Sequence, residues 1–114
     1  FLNFSDPDNP KEEAIYEVPE AGSHNLWIFG DILIAGNYQG GLRVVDISGE
    51  LLGDIYKQGR EIGHYVPYHK KGKIPNAPMV WGAQPYKDYI FFADMNSGLY
   101  CIKLEDIKKD LGTP

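Results

Sequence analysis

The chain has 114 residues, 43% hydrophobic and 24% charged, an ordinary globular mixture that argues against disorder. Sixteen acidic against eleven basic residues leave a net charge of -5, without the clustered positive charge that neutralises phosphates, so a nucleic-acid partner is disfavoured. No apolar run approaches the roughly 20 residues that span a bilayer, and the single cysteine, Cys101, rules out an internal disulfide.

Short apolar runs separated by Gly, Pro, Asn and Asp mark an all-β chain, because turns need preset or positive φ and strands favour β-branched and aromatic side chains. Phe1 to Phe4 reads as the end of a strand, followed by a turn at "SDPDNP". Asp6, Asp8 and Asn9 there superficially resemble a calcium loop, but Pro10 stands at a ligand place and the sixth-place Gly is missing, so an ordinary turn is expected. Ala14–Val18 is a short strand stopped by Pro19. His24–Phe29, the turn Gly30-Asp31, Ile32–Tyr38, the turn Gln39-Gly40-Gly41 and Leu42–Ile47 make three strands of an up-and-down meander. Gly53–Gln58 is expected as its fourth strand.

Two echoes suggest a repeat. "IYE" at Ile15 and "IYK" at Ile55 lie 40 positions apart, near the roughly 40 to 45 residues of a four-stranded propeller blade. A shift of 57 matches "ILIAGNY" to "YIFFADM" and "LRVVDI" to "LYCIKL" in apolar character, and aligns Gly41-Leu42 with Gly98-Leu99. The expectation is a partial β-propeller of antiparallel meander blades. Residues 1–18 end one blade, 23–58 form a full blade, 59–78 are an inserted loop, 79–104 supply three strands of a last blade, and 105–114 are a tail of one helical turn or a frayed end. Blades bury their faces on their neighbours. The expected partners are therefore the remaining blades of a longer polypeptide, of which this would be the C-terminal part, or another protein chain.

The stretch "GNYQGGLRVVDIS", Gly36 to Ser48, resembles the repeat of LVIVD-type bacterial β-propellers, and "FSDPDNP", Phe4 to Pro10, is similar to the end of a preceding repeat. "IPNAPMVWGAQPY" and "FFADMNSGLYCIKLE" are similar to the final part of such proteins; Lys103 replaces the motif's Asp and Leu104-Glu105 its Ile-Ser. The resemblance implies a propeller fold and an extracytoplasmic location, whether periplasm, cell surface or secreted. It implies no catalytic residues.

The first strand of a blade is innermost, so residues at its start border the central channel where ligands commonly enter. His24 and Asn25 hold that place in one unit, Trp81 and Gly82 in the next. His24, Asn25, Trp81 and Gln84, with His64 from the inserted loop, are the candidate ligand-binding residues. His24 is also a candidate ligand for a divalent metal, the alternative being a ring bonded to a neighbouring turn. No cofactor is otherwise expected. The leading expectation is a binding or scaffold module, and the alternative is a metal-dependent enzyme at the channel mouth. His64 and His69 lie in an expected irregular loop that reads as a lid over the funnel. Lys70, Lys71 and Lys73 read as a solvated patch, the alternative being a docking site for an acidic partner. Cys101 is expected to be a buried thiol, while Trp27, Phe29, Tyr89 and Phe91, at period two, are expected to pack between blades.

Overall fold

A computed structural model describes residues 1–103; Leu104 and the segment 105–114 lie outside the described residues. Among the described residues the chain is all-β, with no helix. The strands are β1 (Leu2–Asn3), β2 (Lys11–Glu12), β3 (Ala14–Ile15), β4 (Leu26–Phe29), β5 (Ile32–Gly36), β6 (Leu42–Asp46), β7 (Gly53–Asp54), β8 (Glu61–Tyr65), β9 (Val80–Tyr86), β10 (Tyr89–Asp94) and β11 (Gly98–Lys103). They form a four-stranded antiparallel sheet β4-β5-β6-β8 and a three-stranded antiparallel sheet β9-β10-β11. An antiparallel pair β1-β2 and a parallel pair β3-β7 complete the described strands. None of the sheets closes on itself.

The period-two alternation of β5 and β6 builds two cores on opposite faces of the larger sheet. Ile34, Leu42 and Val44 point to one face, where they meet Val80, Ala83, Ile90 and Phe92 of the three-stranded sheet. Leu33 and Val45 point to the other, against Ala14 and Ile55 with Phe1, Tyr16, Ile47 and Leu51 around them. The larger sheet is thus the middle layer, covered by the N-terminal segment on one side and by β9-β10-β11 on the other.

The fourth strand of the middle sheet differs from the expected one. Gly53–Gln58 contributes only Gly53-Asp54, paired with Ala14-Ile15. Beyond it the Asp54 carboxylate accepts from the Lys57 N–H (3.1 Å) and its carbonyl from the Gln58 N–H (3.2 Å), which closes a turn, while Ile55 is fully buried in the second core. The strand that pairs with β6 is β8, inside the segment expected to be an inserted loop. A β-bulge hides it from the sequence pattern: Val44 faces Gly63 and Val45 faces Glu61, leaving Ile62 as the extra residue, packed against the first core.

Two faces are left uncovered. All four residues of β4 are exposed, Leu26 to 61%. On the outward side of the three-stranded sheet, register aligns Phe91 with Cys101 and Gln84, and Ala93 with Leu99 and Gly82; Leu99 is 75% exposed. Cys101 is therefore exposed rather than buried. Trp27, Phe29, Tyr89 and Phe91 are likewise exposed, not packed between sheets. At "SDPDNP" the Asp6 carboxylate accepts from the Asp8 N–H (3.1 Å) and the Asn9 side-chain amide (2.9 Å), the bonding of an Asx turn.

Candidate functional site

The two sheets meet along a seam where β4 and β5 pack on β9. Backbone bonds fix it: the Asn25 N–H donates to the Trp81 carbonyl (3.0 Å), and Tyr38 and Val80 exchange two bonds of 2.9 and 3.0 Å. Upstream of β4, the His24 N–H donates to the Gly36 carbonyl and the Gly36 N–H to the Asn25 carbonyl, both at 2.9 Å. Gly36 is needed for its lack of a side chain, because a Cβ there would lie 2.5 Å from the Trp81 carbonyl oxygen. Asn37, fully buried, accepts from the Ser23 hydroxyl (2.9 Å) and donates to the Ala35 carbonyl (3.2 Å) through its side chain, while its backbone N–H donates to the Gly41 carbonyl (2.9 Å) and its carbonyl accepts from the Gly40 N–H (2.7 Å), closing the turn that follows.

A second bulge aims the indole. β10 pairs Ala93 with Gly82 and Asp94 with Val80, so Trp81 is the unpaired extra residue of β9. Val80 stays in the core while Trp81 turns out to the His24 ring, with centroids 4.8 Å apart and planes within 16°. Tyr38 meets the same imidazole edge-on at 5.3 Å. Concave spaces flank this stack. One of about 410 Å³ is lined by Asn25, Leu26, Trp27, Gly82, Gln84 and Phe91 among others. The other, of about 350 Å³, lies between His24, Leu26 and Ile28 on one side and Phe1 and Tyr16 on the other.

Of the residues singled out by sequence, the fold brings together His24, Asn25 and Trp81, and places Gln84 on the wall of the adjoining space. His64 does not join them. It lies on β8, not in an irregular loop, and β5 and β6 separate β8 from β4. Its Nδ1 is 3.0 Å from the Glu61 carboxylate. That carboxylate is the centre of a polar cluster the sequence reading missed: Arg43 Nη1 donates to both its oxygens (3.0 and 3.1 Å), and the Tyr16 hydroxyl donates at 2.7 Å. Burial, then the bond to Glu61 and its negative charge, hold the Tyr16 hydroxyl protonated far above the usual tyrosine range, against a smaller opposing effect of Arg43. The cluster joins three segments far apart in sequence, so local spacing carries no signal for it.

Among the described residues no three His, Cys, Asp or Glu side chains are grouped to hold a metal ion. The His24 imidazole, on an exposed residue, stacks on Trp81 and meets Tyr38 edge-on. Flat aromatic faces beside the Asn25 and Gln84 amides have the composition of a surface that binds planar or partly apolar ligands. Comparison of the chain with models of known protein families, with curated proteins and with solved structures found no match.

Proposed function

We propose that the chain is a binding or scaffold segment of a β-propeller, with its two meanders as neighbouring blades and its ligand-facing edge at His24, Asn25, Trp81 and Gln84. One observation carries this reading. The two sheets are meanders in chain order, stacked face to face with first strands β4 and β9 in contact, while the outward face of the second remains apolar and uncovered around Phe91 and Leu99. A stacked sheet that still offers such a face calls for a further sheet against it. In this reading the cover is another blade, on the same polypeptide or on another chain.

The test is Leu99→Asp in the native polypeptide, followed by thermal melting and light-scattering mass. A covered Leu99 leaves the new carboxylate buried without a partner, and the expected outcome is a clear drop in Tm or loss of the assembly. A melting curve and mass unchanged from the parent protein show that water, not a neighbouring sheet, meets this face.

A further inference from the structure

We propose that the groove between the 66–79 loop and the β10–β11 turn is a docking site for an acidic peptide segment carrying large apolar side chains. The groove encloses about 820 Å³ and is lined by Tyr68, Ile74, Met79 and Met95, with Lys73 and Asn96 at its edge. Tyr68 is 69% and Ile74 66% exposed, so apolar surface faces solvent within a concave space.

The groove is held in shape. The Asn96 side chain accepts from the Ile74 N–H and donates to the Ile74 carbonyl, both at 2.8 Å, and its backbone carbonyl accepts from the Lys73 N–H (3.1 Å). At the far side the Met95 N–H donates to the Met79 carbonyl (2.9 Å) and the buried Asp94 carboxylate accepts from the Met79 N–H, while Pro67, near the start of the loop, is fully buried. Two segments far apart in sequence are thus joined by backbone-to-amide bonds, and an occupant meets preformed walls, which lowers the ordering cost of binding.

Charge selects the occupant. Residues 66–79 contain Lys70, Lys71 and Lys73 and no carboxylate, in a chain whose net charge is -5. The three lysines are exposed, and among the described residues none is in an ion pair. Methionines supply adaptable, polarisable contacts that suit varied apolar side chains. An apolar floor with Lys73 in its lining, and Lys70 and Lys71 exposed on the same loop, fits one or two large apolar side chains flanked by Asp or Glu. Its concave shape admits an extended chain more readily than a lipid surface. This site borders the Tyr38–Val80 end of the seam through Gln39 and Met79, but its lining includes neither His24 nor Trp81, and it stands without the propeller reading.

The test is selection from a displayed hexapeptide library on the full chain, with the enriched peptides measured by fluorescence anisotropy. Peptides joining Asp or Glu to a large apolar residue are expected to be enriched, with affinity falling as salt is raised. The triple variant Lys70→Glu, Lys71→Glu, Lys73→Glu is expected to weaken them at least tenfold, and Ile74→Ser to weaken them while leaving the melting curve unchanged, since Ile74 is exposed. Enrichment of neutral or basic peptides, affinity that survives the charge reversal, or binding only to phosphatidylserine vesicles overturns the proposal.

Discussion

Tyr16 shows how one side chain ties the N-terminal segment to the middle sheet. Its hydroxyl reaches Glu61 on β8, which is itself held by Arg43 on β6, so a single carboxylate links three segments. Because the folded protein holds the Tyr16 proton far above the ordinary tyrosine pKa of about 10, the sign of the pH dependence follows directly. Below that value both folded and unfolded forms are protonated and the stabilising bond is fully present. Above it the unfolded chain loses the proton and the folded one keeps it, so stability falls as pH rises. Urea midpoints measured between pH 9 and pH 11, a range chosen to bracket about 10, are therefore expected to fall more steeply in the parent than in Tyr16→Phe. Parallel slopes would show that the hydroxyl titrates as freely in the fold as in the open chain.

At the scale of elements, the sheet-to-sheet seam depends on a backbone approach that only glycine permits. In Gly36→Ala the new methyl would sit 2.5 Å from the Trp81 carbonyl oxygen and crowd the Val80 side chain, both belonging to the opposing sheet. The expected cost is about 1–3 kcal/mol in urea unfolding, the range for forced overpacking, with a red shift of tryptophan emission as Trp81 leaves the His24 ring. A cost within about 0.5 kcal/mol, typical of a surface change, would mean that the strands part easily there. The hairpins on either side of this seam were legible in the sequence because β5, β6 and β10 are short apolar runs bounded by turn residues and a Gly-Asp pair marks the turn before β5. β8 was not, because its bulge breaks the alternation and "EIGHY" has few apolar residues, whereas "GDIYKQ" looks more like a strand although Asp54 turns it back. The same cause split the candidate site. His24, Asn25 and Trp81 come together because each lies at the first strand of a meander, while His64 follows β8 to the far edge. The aim of Trp81 is set by a register shift against β10, a pairing written in no local stretch.

Across the whole molecule the two cores are coupled through one pair of strands. Leu33 and Ile34 are adjacent on β5 and point to opposite cores, as Val44 and Val45 do on β6. Neither core can come apart without disturbing a backbone that also carries the other, so the described layers are expected to unfold as one cooperative unit. Ile55→Ala empties a fully buried position in the core beneath the N-terminal segment, at an expected cost of about 2–5 kcal/mol. If coupling holds, that loss is transmitted: amide exchange followed by mass spectrometry should speed up not only in 1–18 and 47–59 but also in β9 and β10, which Ile55 does not touch. Phe92→Ala, placed in the opposite core, should speed exchange in 1–18 in the same way. Faster exchange confined to the layer that carries each substitution would instead describe two sheets that merely lean together, each with a stability of its own.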